Sequence, residues 1–437
     1  MGSRPTGHPK RWPQGHFFFL FLLLLLSGCR PSEPVLPTAV FSPTVTATAT
    51  LPSLPPTLSP SPSPTFTPSP FESLRIVYGT ASGLWLWENG ASRPLTFDPK
   101  DSDPDFSPDG AWITFRRGET LWTVGPDGAA RPLIPTDYLA ILAPGKTIRP
   151  LRPFAWMPGT ANLFFTTQQA TADGWSPRFD LHVVDARRGQ PILVLEAGRG
   201  GIPFFSPRGN WLALVREGEI ALSPSNPLKP RTVFSYKSIP GYLPDLHWLR
   251  DESGFVFLIP PQPDQATPTP EPSSEYPALL PTRWWGVSIE GKARLLGEFQ
   301  AEKFSLARPL IAPNGDQLLY LYPYRKRGQH ELHILDVAGN DLFYTSYYHG
   351  RIGVVTWLPN ETHFIYWADS PQSLWLAHYG EPARPLAADL SMDAFLLATE
   401  EFFVFRHGSE IYLQTWKGER TLLVQDTNGA VAVFYGR

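Results

Sequence analysis

PDFSPDGAWITF, Pro104 to Phe115, is the stretch that decides the fold. Pro108 presets φ at about −65° for the second position of a four-residue turn, and Asp109 and Gly110 suit the positions after it. Trp112 to Phe115 then reads as a strand. The same turn between apolar segments recurs in RPFAWMPGTANLFF from Arg152, GIPFFSPRGNWLAL from Gly201 and PDLHWLRDESGFVFL from Pro244, then in RPLIAPNGDQLLYL from Arg308 and VVTWLPNETHFIYW from Val354.

A second element follows each copy, a strand that leads through a polar turn into another short strand. Examples are LWTVGPDGAARPL from Leu121, LHVVDARRGQPILVL from Leu181, WGVSIEGKARLLGEF from Trp285 and LHILDVAGNDLFYT from Leu332. LWLAHYGEPARPL from Leu374 and IYLQTWKGERTLLV from Ile411 complete the series. Four short strands in each unit of roughly 40 to 60 residues is the pattern of a propeller blade. No segment shows a sustained helical period with caps, so the domain is read as all-β.

The turn FSPDG, followed by AWITF and LWTVGPDGAARPL, resembles the WD40-like PD40 repeat of TolB-type propellers. The match is strong over Pro104 to Leu133 and degenerate elsewhere: Arg208 holds the turn's Asp position, and the turn between Pro244 and Leu258 lacks proline. Units centred near Ile76, Ile113, Leu163, Leu212, Val256, Leu318, Phe364 and Phe403 give about eight four-stranded blades. If the unit from Phe395 to Leu423 is irregular, seven is the alternative. The first unit lacks an inner strand, and the chain ends in GAVAVFYGR; Ala430 to Tyr435 is expected to supply that strand and close the ring, removing an open edge.

The first 71 residues stand apart from this domain, which is placed at 72–437. Arg4, Lys10 and Arg11 precede an apolar run from Phe17 to Leu26, too short to span a bilayer, and small residues follow. Leu26, Ser27, Gly28 and Cys29 resemble the lipobox of bacterial lipoproteins. The resemblance implies a signal peptide over 1–28, cleavage before Cys29, and a diacylglycerol thioether on its sulfur; two or more acyl chains suffice for stable anchoring. Cys29 is the one cysteine in 437 residues, so the chain forms no internal disulfide. An ordinary signal with an incidental cysteine is the alternative.

Over Pro31 to Pro70 the chain is nearly uncharged and about two thirds Pro, Ser or Thr. Such a segment cannot bury a core. At roughly 3.1 Å per residue in polyproline II it reads as a stalk, assigned with the anchor to 29–71. The expected location is therefore a bacterial membrane, lipid-anchored and extracytoplasmic. The formal charge of −3 becomes −6 without the three bases of the signal, which argues against a nucleic-acid partner.

Candidate chemistry is sparse. Asp98, Asp101, Asp103, Asp105 and Asp109 cluster, but a calcium loop starting at Asp101 would place Phe106 where glycine is required, so they are read as turn and surface groups. His330 to His333, HELH, has the wrong spacing for a metalloprotease helix, and in GTASG, Gly79 to Gly83, Ala81 holds the nucleophile position. No metal, cofactor or catalytic set is expected, and the chain is read as a monomeric binding scaffold rather than an enzyme.

In a propeller the connections from second to third strand, and from one blade to the next, emerge on one face. Those are the long ones here, over Thr166 to Asp180, Pro260 to Thr282 and Tyr322 to Glu331 within blades. Between blades they cover Ile134 to Arg149, Ser235 to Tyr242 and Thr345 to Arg351. Trp175, Tyr236, Lys237, Arg325, Lys326, Arg327, Tyr347, Tyr348, His349 and Arg351 are the candidate binding residues, since aromatics and Arg are enriched at interfaces. The alternative for each aromatic is packing between blades. Trp112, Trp122, Trp211 and Trp357, inside strands, are assigned to blade packing. The expected ligand is an envelope protein, peptide or glycan; the rival is a glycan lyase or hydrolase with charged groups in the central channel.

Overall fold

A computed structural model describes residues 72–239, 241–260, 279–302, 309–323, 329–348, 352–358, 362–369, 372–378, 381–388 and 393–436. Cys29 and the stalk lie outside the described residues, as do Arg325, Lys326, Arg327, His349, Arg351 and most of Pro260 to Thr282. Eight antiparallel sheets follow one another along the chain and form a β-propeller. Blade two shows the plan: Asp101–Phe106 is innermost, then come Ile113–Arg117 and Thr120–Val124, with Ala130–Ile134 outermost.

The repeated turn is the same object in every quoted copy. Its first residue donates its N–H to the carbonyl five residues on: Ser107 to Trp112, Met157 to Asn162, Ser206 to Trp211, Leu249 to Gly254, Ala312 to Gln317 and Leu358 to His363, all at 2.8–3.0 Å. In PDFSPDGAWITF the Ser107 hydroxyl donates to Asp109 (2.6 Å) and accepts the Trp112 N–H (2.9 Å), while Asp109 also accepts the Ala111 N–H (3.0 Å). Gly110 takes φ of 67°, a conformation that costs glycine little. The unit near Phe395 is irregular, with Thr399 donating to Phe402 only three residues on, yet it still builds a four-stranded sheet. Eight blades, not seven, is the count.

Where the turn lost its aspartate, a neighbour supplies the carboxylate. Arg208 stands at that position in blade four, and Glu252 from the blade-five turn reaches across to accept the Arg208 N–H (2.6 Å) and the Asn210 side-chain amide (2.7 Å). Glu252 is buried, which alone would raise its pKa. Hydrogen bonds from Ser206, Asn210 and the Arg208 backbone outweigh that and hold it below the usual value.

Blades also grip one another at the inner strands. The Trp248 indole donates to Phe204 O of the preceding blade (3.1 Å), and Trp357 does the same to Leu310 O (3.0 Å). Apolar clusters fill the seams, as where Leu84 and Val77 of blade one meet Phe106 and Phe115 of blade two. Trp112 and Trp357 are buried among such neighbours, in line with their assignment to packing.

Blade one is closed by the end of the chain. Val431–Tyr435 pairs antiparallel with Leu74–Thr80 from Leu74↔Tyr435 to Tyr78↔Val431. Phe434 packs against Phe106 (5.6 Å between centroids) and Tyr435 stands edge-on to Phe402 (5.2 Å), so the closing strand touches the blades on both sides.

Three expectations change. The connection from Ile134 to Arg149 contains a helix, Thr136–Leu142, which buries Leu139; seven residues without a side-chain N-cap are too short to register as a helical period. Thr345 to Tyr348 belongs to the outer strand Asp341–Tyr348 rather than to a loop. Thr166 to Asp180 is mostly strand, which gives blade three a fifth strand. No helix among the described residues is long and apolar enough to cross a membrane.

Deleting Gly429–Arg437 should destabilise the whole ring by at least about 3 kcal/mol, the cost of truncating one core aromatic. Calorimetry is the check; an unchanged melting temperature contradicts the closure.

Candidate functional site

The inner-to-second turns and third-to-outer turns define one face, the turn face; the other connections define the loop face. Exposed large apolar side chains separate them. Phe97 (82% exposed), Ile141 (75%) and Trp175 (38%) all lie on the loop face, around blades one to three. The remaining ones among the described residues, Ile192, Leu193, Leu295 and Leu422, sit on outer strands.

Blade three builds this region. Its second strand, Asn162–Thr171, runs two residues past the start of the inner strand at Ile148, and the third strand is broken into Gly174–Pro177 and Leu181–Asp185 by Arg178, Phe179 and Asp180. Phe179 takes φ of 51° at the break, and Asp180 folds inward. Its carboxylate accepts the Thr167 N–H (2.7 Å), the Thr167 hydroxyl (2.7 Å) and the Thr166 hydroxyl (3.1 Å). It also lies 3.2 Å from His182 Nε2 and 3.6 Å from Arg178 Nε.

His182 has no exposed surface and stacks on Phe165 (4.9 Å, 17°), and its Nδ1 is 2.8 Å from the Tyr138 hydroxyl on the helix. Nε2 faces the Asp180 carboxylate at ion-pair distance without hydrogen-bond alignment, and Nδ1 shares its hydrogen bond with the Tyr138 hydroxyl. Burial alone would raise the Asp180 pKa, but the adjacent His182 and hydrogen bonds from Thr167 hold it at about 2. Burial, with the Asp180 charge nearby, pushes the Tyr138 phenol up to about 12, so this Tyr is a donor and no ready nucleophile. The relay ties the helix to the broken strand.

Above that support Trp175 lies under the Arg149 guanidinium at 3.8 Å. Arg149 also reaches Glu119 (3.4 Å), which meets Arg116 at 3.4 Å. The result is an exposed indole with a chain of alternating charges at its side, drawn from blades two and three.

Of the other candidates, Tyr236 donates its hydroxyl to Arg216 O (2.9 Å) and packs beside Phe234; burial pushes its phenol up to about 12, which is a packing role. Lys237 is exposed on the loop face and has a partner of its own. Tyr347 and Tyr348 fall at the end of an outer strand. Sequence reasoning missed Tyr138, Arg149 and His182; the signal for them was the unusual length of the two connections they bracket.

The central channel is not uniform. On the turn face a cavity of about 450 Å³ is lined by Pro108, Pro158, Pro207 and Pro313 of four turns together with Phe154, Phe204 and Trp248. Charged groups also stand on the inner strands: Arg152 donates to Asp103 O (2.7 Å), and His247 Nε2 is 3.8 Å from Asp245. Enclosure raises the Asp105 carboxyl while Arg152 pulls it back, and burial lowers His247 against the pull of Asp245. The clustered aspartates have structural uses elsewhere: Asp101 is buried in a two-pronged pair with Arg117 (2.7 and 2.8 Å). His333 pairs with Asp341 (2.9 Å) and Glu331 (3.2 Å). No cluster of three metal-ligating side chains occurs among the described residues.

No family model matches the chain, and no curated protein matches it in sequence. Solved structures do. A eukaryotic initiation factor is similar at TM-score 0.52 and 12% identity, over 83% of this chain and 98% of that one. Dipeptidyl peptidase 4 from Porphyromonas gingivalis is similar at 0.50 and 15%, over 75% of this chain and 53% of that one, so the likeness spans about half the peptidase. A TolB-like protein from Agrobacterium tumefaciens is similar at 0.33 and 12%, over 63% and 90%. The first two likenesses show the β-propeller fold, and binders and enzymes share it.

Asp180 is ionised with a pKa below its usual 3.8, so its contribution is present above pH 4 and is lost as pH falls through about 2. Asp180→Asn should cost about 2 kcal/mol near neutral pH and flatten the acid limb of the stability curve over that window. Chemical denaturation between pH 2 and 7 tests this; parallel curves for the two proteins contradict it.

Proposed function

We propose that this chain is a lipid-anchored, extracytoplasmic β-propeller that recognises an envelope protein, peptide or glycan through its loop face. The observation that carries the reading is the gathering of Phe97, Ile141 and the Trp175–Arg149 pair on that one face, held from beneath by the Asp180–His182–Tyr138 relay. Indole and guanidinium planes fixed by packing lose little entropy when a ligand covers them.

Geometry supports the orientation as well. Leu74–Thr80 begins on the turn face, where Arg75 donates to Gly110 O of the blade-two turn (2.5 Å). The chain therefore enters the ring on the face opposite the Trp175 platform.

A second reading rests on Asp105, Arg152 and His247 on the inner strands of three blades, with Asp245 just before the third, which together supply acids, a base and a cation. They are the groups a channel hydrolase or lyase would use. An enzyme is therefore the rival that the experiment has to separate.

Trp175→Ala combined with Arg149→Ala should weaken capture of the envelope partner at least tenfold with little change in melting temperature, whereas Asp127→Ala on the turn face should do neither. Cys29→Ala should move the protein from the detergent phase to the aqueous phase and leave capture intact. Equal capture by the double variant, with turnover of a polysaccharide that Asp105→Asn abolishes, would transfer the function to the channel.

A further inference from the structure

The seam between blades five and six opens on the turn face into a cavity of about 650 Å³, within the range of small-molecule sites. Its walls are apolar, from Leu249, Val256, Val287, Leu296 and Val337. Space exists there because Gly254, Gly286 and Gly315 line it without side chains; a Cβ on Gly286 would already come within 3.3 Å of Leu296. This is the seam's polar edge as well as its apolar floor, since Lys292, Arg294, Asp251, Glu290 and Asp316 form the rim.

The rim charges are not equally engaged. Asp251 accepts the Ser253 N–H (2.9 Å) and hydroxyl (2.7 Å), and Glu290 accepts the Ser288 hydroxyl (2.6 Å). Burial pushes the Asp316 carboxyl up from its ordinary value, against a hydrogen bond from Asn314. Arg250 has a partner of its own. Lys292 and Arg294, by contrast, are exposed and have no carboxylate within 4 Å among the described residues. Arg294 lies directly across the sheet from Gly286, beside the opening.

We infer that this seam binds a monomeric amphipathic carboxylate, its apolar tail between the blades and its head on Lys292 and Arg294. Apolar walls exclude a fully polar ligand. Lys292 and Arg294 stand at the opening with no carboxylate in contact among the described residues, while Asp251 and Glu290 are held by serine hydrogen bonds, and that arrangement favours an anionic head over a cationic one. The site lies on the face opposite the Trp175 platform and is independent of the recognition reading.

Calorimetric titration of the purified full chain with decanoate, kept below micelle formation, tests it. Saturable one-to-one binding is expected, roughly tenfold weaker in Lys292→Gln/Arg294→Gln, whose melting temperature stays near wild type, and unchanged in Trp175→Ala. Decyltrimethylammonium should bind at least tenfold more weakly than decanoate. Gly286→Leu should abolish binding by filling the seam; because that change can also disturb packing, the double charge variant is the deciding one. Equal affinity in that variant, equal affinity for the cation, or binding to anionic phosphatidylglycerol vesicles with none to monomeric decanoate would overturn the inference.

Discussion

Without a closing strand, Leu74–Thr80 would be the edge of a three-stranded blade one, and a row of its backbone N–H and C=O groups would be unpaired. Pairing of Val431–Tyr435 with Leu74–Thr80 removes that edge, and the rest of the propeller depends on it. The five closing residues join the two ends of the described chain in one sheet, so blade one cannot open without exposing the seams to blades two and eight. Phe434 and Tyr435 make the link apolar as well as hydrogen-bonded. Blades are otherwise nearest-neighbour units, each stable only through the seams beside it.

The second constraint is the turn. Six copies share one backbone hydrogen bond although their side chains diverge, because what the ring requires is a tight reversal at fixed length. The carboxylate that organises the turn is required too, but not from a fixed position. Asp109 supplies it locally, while Glu252 supplies it to blade four from the next blade. Exchange of that kind couples neighbouring turns and stiffens the turn face, leaving length variation to the loop face, where variable connections disturb the core least.

Fold and site differed in how far they could be read from sequence. The blades were legible because Pro-Asp-Gly turn chemistry and strand alternation are local, and the C-terminal strand was legible because the first unit lacked a partner. Glu252 was not, since its contact with Arg208 spans two blades and no local pattern marks it. The helix Thr136–Leu142 was hidden by its brevity, and Tyr236 looked like a loop aromatic although its hydroxyl and ring are committed to packing. Trp175 was legible as an exposed aromatic; the Arg149 above it and the Asp180–His182–Tyr138 support beneath it come together only when residues 138, 149 and 182 are brought to one place by the sheet.

Native-state hydrogen exchange on the two strands of the closure tests the central claim most directly. Amides of Ile76, Val77, Ala432 and Phe434 should exchange only through global unfolding, with the same free energy as the central strand Trp211–Arg216 of blade four. Exchange of Ala432 and Phe434 at a much lower free energy, as a fraying terminus shows, would contradict a ring held shut by its last strand.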